Sequence, residues 1–191
     1  MAEAKKHKIL ALLTSANANG HTAALMDAFL KGVRENGGDV EWVHAGAMHI
    51  MGCKGCDACA ETPGHVCVLR DDFPPVMEKV RASDTIVFAS PVYFGNFNTT
   101  MKAILDRMYC LHANEYGNRR CALLMTAEGG EITFRGNRQN LEPGRFSYRS
   151  AIGYMDWEDK GVVIATHISS NGDVIKSPAY KEAYALGKAL A

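Results

Sequence analysis

The sequence has no excess of charge of either sign and no long apolar run. Lysine and arginine together number 21 among the 191 residues, as do aspartate and glutamate, so the formal net charge at pH 7 is zero. Such a balance lacks the electrostatic footprint of a nucleic-acid-binding protein. Apolar stretches such as 9–13 and 161–165 are far shorter than the roughly 18 to 20 residues that span a bilayer. We therefore expect neither a nucleic-acid partner nor a membrane span.

The first residues also lack the pattern of a secretory signal. Met1–Lys8 is polar and carries three lysines, with no apolar region before a cleavage site. We therefore expect a cytoplasmic protein in a reducing compartment. At roughly 100 to 200 residues per domain, we expect residues 1–191 to form a single domain.

Two common nucleotide-binding motifs are missing from the loop that follows the first apolar run. This loop, residues 14–22, contains neither the GxxxxGK[ST] pattern of a nucleoside triphosphatase nor the GxGxxG pattern of a dinucleotide-binding turn. The sequence therefore argues against both of these nucleotide-binding classes.

Short apolar runs alternate with helical patterns along the chain. We predict five strands from the apolar runs, at 8–13, 40–43, 85–89, 121–125 and 161–166. Apolar residues at helical spacing predict five helices, at 25–33, 74–82, 99–111, 146–155 and 178–190. Ser177 as N-cap and Pro178 in the first turn begin the last helix. This alternation predicts an α/β fold, a doubly wound five-stranded parallel sheet with helices on both faces.

Ligands of such folds bind beyond the carboxyl ends of the strands, near the point where the strand order reverses. Three loops follow strand ends at that edge, at 14–22, 90–98 and 126–130. Segment 127–144 has no steady period, and we expect it to be irregular. The third loop exposes backbone groups beside a strand end, as a ligand-contacting loop would. The alternative is that this loop is only a flexible turn.

The first loop carries groups that can hold a phosphate. Its hydroxyls, amides and permissive backbone come from Ser15, Asn17, Asn19, Gly20 and Thr22. Together with the free N–H groups at a helix start, they form a phosphate site that needs no lysine. The alternative is an ordinary helix start with His21 or Thr22 as N-cap.

The second loop reads SPVYFGNFN and places two adjacent aromatic side chains directly after a strand. Pro91 and Gly95 constrain the backbone while exposing its amides. This arrangement suits a planar heterocycle that needs stacking and main-chain hydrogen bonds. The alternative is a turn whose aromatic side chains fold into the core.

Six cysteines are many for a cytoplasmic chain, and four of them fall within fifteen positions, namely Cys53, Cys56, Cys59 and Cys67. The C-x2-C-x2-C spacing of the first three favours a [4Fe-4S] cluster over zinc, which usually takes cysteines in separated pairs. Cys67 would then close the same cluster. One alternative is zinc, with help from His49 or His65. Another is a vacant loop whose cysteines pack as small apolar groups or form a redox disulfide.

The cysteine-rich segment 51–70 is expected to be a loop, and loops of this length are commonly functional. Cys110 and Cys121 stand in apolar company and are expected in the core. Three histidines follow no pattern and are expected to be structural or surface residues, His44, His112 and His167.

These segments together resemble the FMN-binding members of the flavodoxin-like superfamily, specifically the NAD(P)H-dependent FMN reductases and iron-sulfur flavoproteins. Ser15, Gly20 and Thr22 match the family's first loop, G-S-P-R-x-x-G-N-T, and residues 90–96 match its S-P-V-Y-x-G-x. The helix after the second loop has the family's lysine and Asp-Arg pair, and the tail 177–188 is also similar. Further matching residues are Lys102, Asp106 and Arg107.

Two departures from the family pattern lie in the first loop. Ala16 and Asn17 stand where the family has proline and arginine, so a bidentate cation opposite the phosphate is missing. His21, where the family has asparagine, would restore positive charge when protonated.

The resemblance implies an FMN-dependent oxidoreductase that takes electrons from NAD(P)H or a one-electron carrier and passes them to a small-molecule acceptor. It implies an FMN phosphate site formed by Ser15, Asn17, Gly20, His21 and Thr22. The isoalloxazine ring and ribityl chain would border Pro91, Val92, Tyr93, Phe94, Gly95 and Asn96. The pyrimidine edge of the ring would approach Thr126 and Gly129. Flavin chemistry needs no acid or base from the protein, so no catalytic side chain is assigned.

The resemblance further implies a homodimer or homotetramer with the flavin near a subunit interface. Aromatic residues of the carboxyl-terminal half would contribute to that interface, namely Phe134, Phe146, Tyr148, Tyr154 and Trp157.

Two rival functions stay open: a zinc-binding regulatory protein without flavin, and a flavin electron carrier with a vacant cysteine loop. Balanced charge favours an enzyme over a carrier, since carriers are typically more acidic.

Overall fold

The computed structural model describes residues 7–111, 115–132 and 139–191. Its strands are β1 (Lys8–Leu13), β2 (Asp39–Val43), β3 (Thr85–Tyr93), β4 (Asn96–Phe97), β5 (Arg120–Thr126) and β6 (Glu158–Ala165). Five of them form a parallel sheet in the order β2-β1-β3-β5-β6, which confirms the predicted doubly wound sheet. The two-residue β4 pairs antiparallel with the end of β3.

Seven α-helices lie within the described residues, in chain order α1 (His21–Glu35), α2 (Ala58–Glu61), α3 (Phe73–Arg81), α4 (Thr99–Arg107), α5 (Glu142–Tyr154), α6 (Asn171–Lys176) and α7 (Pro178–Leu190). Short 3-10 turns occupy Ala45–Ala47, Pro63–His65 and Met108–Leu111. Ser177 and Pro178 begin α7 as predicted. Among these described helices, none is both long and apolar enough to cross a membrane.

Alternate residues of each strand point into two apolar layers, one on each face of the sheet. Leu10 and Leu12 of β1 pack with α3, α4 and α5, whereas Ile9 and Ala11 pack with α1 and α7. Cys110 and Cys121 are buried in the first layer, as the sequence predicted. Continuous burial of β1 explains its unbroken apolar run, since both of its faces are covered.

Several short elements differ from the sequence prediction. Helix α5 begins at Glu142, inside the segment expected to be irregular, because Pro143 suits the first turn of a helix. Strand β3 continues to Tyr93 and turns through Phe94 and Gly95 into β4. These two turn residues have φ of 51° and 78°, as the type I′ turn of a tight hairpin requires.

The aromatic residues expected at a subunit interface divide into three groups. Phe146 and Tyr154 are exposed. The expectation is wrong for Tyr148 and Trp157, which are buried in the core because Tyr148 lies on the sheet-facing side of α5 and Trp157, directly before β6, packs into the same apolar layer. Phe134 lies outside the described residues, as does His112.

Candidate functional site

A pocket of about 440 Å³ lies at the carboxyl ends of the parallel strands. The structure brings most of the predicted FMN residues together there, namely Ser15, Asn17, Gly20, His21, Thr22, Pro91, Val92, Tyr93 and Thr126. It also adds residues that the sequence prediction missed, Ala127, Glu128, Ile168 and Ser169. The last two follow β6, so the strand-end rule applied to a fourth loop would have found them.

The first loop ends at Gly20, which is the N-cap of α1. The alternative N-caps, His21 and Thr22, are wrong, and no side chain of a described residue caps this helix. Because glycine has no side-chain acceptor, the first N–H groups of α1 stay available to an anion in the pocket. Ser15 Oγ is within 3.3 Å of the Asn17 backbone nitrogen and is buried at the base of the loop.

Residues that follow β2 support this loop from behind. His44 Nε2 lies 2.9 Å from the carbonyl oxygen of Ser15, so His44 has the structural role predicted for it. The backbone of Gly46 packs so closely that a Cβ atom there would lie 2.0 Å from the same carbonyl oxygen. The position of Ser15 in the pocket therefore depends on a glycine outside the pocket.

Buried polar side chains connect the loops to one another. Asn98 caps α4 by accepting a hydrogen bond from the Met101 N–H, and its Nδ2 donates to the carbonyl oxygen of Thr14 at 2.7 Å. The hydroxyl oxygens of Thr22 and Thr126 are 2.7 Å apart. These contacts fix the first loop relative to the other two.

The second loop presents its aromatic side chains to solvent. Tyr93 is 59% exposed and lines the pocket, and Phe94 is fully exposed. The alternative in which these rings fold into the core is therefore wrong. A planar group bound in this pocket would lie beside the Tyr93 ring, which is at the rim of the pocket.

Four of the predicted flavin neighbours lie outside the lining of this pocket, namely Phe94, Gly95, Asn96 and Gly129. Asn96 Nδ2 donates to Ser147 Oγ at 3.1 Å, so this amide faces α5. Gly95 and Gly129 both pack against Asn140. Contact of these four residues with FMN stays a prediction.

A second pocket, of about 380 Å³, is lined by all four clustered cysteines. Cys53 and Cys56 are exposed, Cys59 and Cys67 are partly buried, and all four are free thiols. The part of the chain that the structure describes contains no group of three cysteine, histidine or acidic side chains placed to hold a metal ion. His49 and His65 do not line this pocket.

Burial and the neighbouring thiols act on Cys59. Burial is the main cause that raises the pKa of the Cys59 thiol, and negative charge on Cys67, Cys53 and Cys56 raises it further. The other three clustered thiols therefore lie near enough for their charge to act on Cys59. Cys110, which also lines the pocket, has a pKa raised by burial to about 11.

The base of the cysteine segment is closed by two pairs of residues. His49 and Asp72 exchange hydrogen bonds at 2.8 and 3.0 Å. The Met51 N–H donates to Asp71 Oδ2 at 2.8 Å. Asp71 also forms a fully buried ion pair with Arg107 of α4.

Arg107 holds both ends of this segment at once. Its Nη1 donates to Asp71 and to the Met51 carbonyl oxygen, at 3.2 Å for the latter, and its Nη2 lies 3.3 Å from Cys67 Sγ. Burial would raise the pKa of Asp71, but the hydrogen bonds from Arg107, Met51 and Phe73 outweigh it and hold the pKa below its usual range. From the sequence, Arg107 is recognisable only as a family match, because no neighbouring residue indicates a partner so distant in the chain.

The strand order, with a pocket at the carboxyl ends of the strands, defines a flavodoxin-like α/β protein. The family model described as NADPH-dependent FMN reductase matches residues 7–141, which is more than half of the sequence. The chain belongs to this family.

Two iron-sulfur flavoproteins are similar in sequence. One, from Archaeoglobus fulgidus, is 37% identical over 112 residues, which cover 59% of this chain and 48% of that protein. The other, from Methanosarcina thermophila, is 26% identical over 176 residues, which cover 92% of this chain and 85% of that protein. The matched segment spans about half the length of the Archaeoglobus relatives, 48% and 52% in two cases.

Solved structures share the fold. An NAD(P)H:quinone oxidoreductase from Methanothermobacter marburgensis matches with a TM-score of 0.74 and 14% identity, over 97% of this chain and 96% of its own. An FMN-dependent NADH-azoreductase from Bacillus anthracis, solved in complex with FMN, matches with a TM-score of 0.68 and 16% identity, over 97% of this chain and 100% of its own. The flavodoxin-like fold predicted from the sequence is thereby confirmed.

Proposed function

We propose that this protein is an FMN-dependent NAD(P)H oxidoreductase that passes electrons to a small-molecule acceptor. The observation that carries the proposal is the pocket at the strand ends, where an uncapped helix start, buried hydroxyls and an exposed aromatic ring converge. Family membership and the FMN complex of the Bacillus azoreductase support it. FMN, when bound, supplies both two-electron and one-electron chemistry.

In this proposal, the protein binds and orients the flavin. The α1 N–H groups and the hydroxyls of Ser15 and Thr22 hold the phosphate, with Asn17, Gly20 and His21 around it. Pro91, Val92 and Tyr93 border the ring and ribityl chain, with Phe94, Gly95 and Asn96 further along the same turn. Thr126 and Gly129 approach the pyrimidine edge. No side chain is assigned to acid or base catalysis.

We propose a [4Fe-4S] cluster as the second cofactor, held by Cys53, Cys56, Cys59 and Cys67. Among the described residues, these side chains are not placed to hold a single metal ion, but all four thiols line one pocket, and their number and type match the ligands of such a cluster. A backbone N–H donor is already directed at one of these sulfur atoms, since Gly55 N lies 3.4 Å from Cys53 Sγ. The names of the two relatives also support a cluster.

We further propose that the protein acts as a homodimer or homotetramer and that residues 1–191 work as one flavin-binding domain. Fully exposed Phe94, beside the pocket rim, and exposed Phe146 and Tyr154 give apolar surface for a second copy. Light scattering during size-exclusion chromatography measures the assembly mass, and a monomer would contradict this proposal.

Six free thiols suit the reducing cytoplasm, which we propose as the location.

One preparation tests the cofactors. The full chain is purified anaerobically, its absorbance spectrum is recorded, and flavin, iron and zinc are quantified per chain. We expect flavin bands together with iron. A yellow, iron-free protein would support a flavin enzyme with a vacant cysteine loop over the proposed cluster, and a colourless zinc protein that does not bind added FMN would overturn the proposed function.

A second experiment tests the electron donor. The flavin-loaded protein is mixed anaerobically with NADH or NADPH, and the loss of flavin absorbance is followed with time. We expect at least one of the two nicotinamides to reduce the flavin. Reduction by neither would contradict the proposed use of NAD(P)H and favour a one-electron donor.

A further inference from the structure

Arg107 is a fully buried arginine in contact with one of the clustered cysteines. It is the last residue of α4, its side chain has no exposed surface, and its Nη2 lies 3.3 Å from Cys67 Sγ. The guanidinium plane is held over the Phe73 ring, with 4.1 Å between the guanidinium carbon and the ring centroid. A buried arginine in four separate contacts has little freedom to move away from Cys67.

The charge of Arg107 is balanced by Asp71, whose side chain is also without exposed surface. Asp71 in turn accepts hydrogen bonds from the Met51 and Phe73 N–H groups, at 2.8 and 3.2 Å. Arginine presents its donors as a rigid planar fork, so one guanidinium can donate to a carboxylate with one nitrogen and to a sulfur atom with the other. Lysine has a single ammonium group and cannot reproduce both directions.

We propose that Arg107 positions Cys67 as the fourth ligand of the proposed [4Fe-4S] cluster and raises the reduction potential of that cluster through its N–H···S hydrogen bond. This inference rests on the proposed function, because it requires a cluster in the cysteine pocket. Arg107 is a positioning residue, since it acts through Cys67. The three cysteines of the C-x2-C-x2-C motif share one short stretch of backbone, whereas Cys67 needs a separate support.

The sign of the effect follows from electrostatics. A hydrogen bond to a ligating sulfur stabilises the more negative, reduced cluster, and so it raises the reduction potential. Asp71 cancels most of the arginine charge, so the Arg107–Asp71 pair acts mainly through the N–H dipole. Loss of the Asp71 charge alone would leave a positive group beside Cys67 and would raise the potential further.

Two substitutions therefore shift the potential in opposite directions. Arg107→Lys keeps the charge and removes the N–H···S contact, and we expect a lower potential and less iron per chain. Asp71→Asn keeps Arg107 and removes the negative charge, and we expect a higher potential. Arg119→Lys is the matched control, because Arg119 is another arginine that donates to backbone carbonyl groups and lies over an aromatic ring, that of Trp157, but does not line the cysteine pocket.

The experiment uses the full chain, reconstituted anaerobically with iron and sulfide. Iron per chain is measured first, and the potential is then obtained by redox titration followed by electron paramagnetic resonance. A purely structural role would lower the iron content without shifting the potential of the remaining clusters. Opposite shifts for Arg107→Lys and Asp71→Asn, with no shift for Arg119→Lys, support the inference.

Other outcomes overturn it. If the wild-type chain takes up no iron, the proposed cluster is wrong and the role of Arg107 falls with it. If the wild-type chain carries a cluster and both variants keep its potential, the cluster proposal stands and the inference alone is wrong. Circular dichroism shows whether Arg107→Lys folds. If it does not, the reduction potential of Asp71→Asn alone tests the inference, and an unchanged potential in that variant contradicts it.

Discussion

The hydroxyl groups of Thr22 and Thr126 form a buried hydrogen bond between the first turn of α1 and the end of β5. The two residues are 104 positions apart in the chain, and both line the proposed flavin pocket. A threonine hydroxyl can donate one hydrogen bond while accepting another, so Thr22 can accept from Thr126 and still donate to a phosphate. The pair thereby aligns one donor of the proposed phosphate site.

Replacement of Thr22 by valine should weaken FMN binding about 10- to 100-fold, because a hydrogen bond to a charged group contributes roughly 1.5–3 kcal/mol. Binding is measured by titration of the flavin-free protein with FMN and with riboflavin, which lacks the phosphate. Thr126→Val is the comparison variant, since it breaks the same threonine pair but keeps the Thr22 hydroxyl. Because Thr126 is proposed to approach the flavin ring, its loss of affinity should be equal for FMN and riboflavin. An equal loss of affinity for FMN and riboflavin in Thr22→Val would show that Thr22 does not contact the phosphate.

Gly46→Ala should displace the first loop, because its methyl group would lie 2.0 Å from the Ser15 carbonyl oxygen. Overpacking of this kind typically costs about 1–3 kcal/mol of unfolding free energy. We expect this loss in chemical denaturation, together with weaker FMN binding. Gly153→Ala in α5 is the control, since the added methyl there meets no atom within 4 Å and the change should be neutral or slightly stabilising. Wild-type stability in Gly46→Ala would contradict the close contact.

The stability of the protein should fall in acid through Asp71. The pKa of Asp71 is lowered in the folded protein, so its contribution is fully present above the pKa of the unfolded chain, about 3.9. This contribution is lost as the pH falls from about 5 through the lower folded-state pKa. The free energy of unfolding is measured by denaturation at several pH values. In acid it should fall less steeply for Asp71→Asn than for the wild type.

At neutral pH, breaking one side of a buried ion pair typically costs about 3 to 5 kcal/mol, and Asp71→Asn should lie near the lower end because asparagine keeps an acceptor. The double variant Asp71→Leu with Arg107→Met should recover much of that loss, since apolar replacement of a whole buried pair is often neutral. A double variant less stable than Asp71→Asn would show that the pair itself stabilises the fold.

Thiol reactivity should divide the cysteines into two groups. Burial raises the pKa of Cys110 to about 11 and that of Cys121 to about 12, and both side chains are inaccessible. Since the thiolate is the nucleophile, neither should react with iodoacetamide at about pH 8 in the folded, cluster-free protein. Exposed Cys53 and Cys56 should react first, as read by mass spectrometry of peptides. Labelling of Cys121 at the rate of Cys53 would contradict its burial.

Much of the fold could be predicted because burial on both faces leaves continuous apolar runs, as in β1, and because helices keep an apolar stripe. The rule that ligands bind beyond strand ends then located the first three loops. Ile168 and Ser169 were missed because the same rule was not applied to the loop after β6, although that loop carries the hydroxyls of Thr166, Ser169 and Ser170. The short β4 was missed because a two-residue strand has no period.

Long-range polar contacts were beyond sequence reasoning. Arg107 and Asp71 are 36 positions apart, and each would be assigned to the surface from its charge alone. Tyr148 and Trp157 were misplaced for the opposite reason, since aromatic composition does not show which side of a helix or strand faces the core. In each case the deciding information is the packing of distant segments.

The closed base of segment 51–70 makes that segment an interchangeable module. His49 with Asp72 and Met51 with Asp71 fix its two ends side by side, so a replacement segment would have the same anchor points at its ends. It would lose the interior contacts of His65 with Arg81 and of Cys67 with Arg107. Each doubling of loop length adds only about 0.6 kcal/mol of closure entropy. Segments of other lengths and other metal-binding content could therefore be grafted at this base without disturbing the flavin pocket, which shares no lining residue with the cysteine pocket.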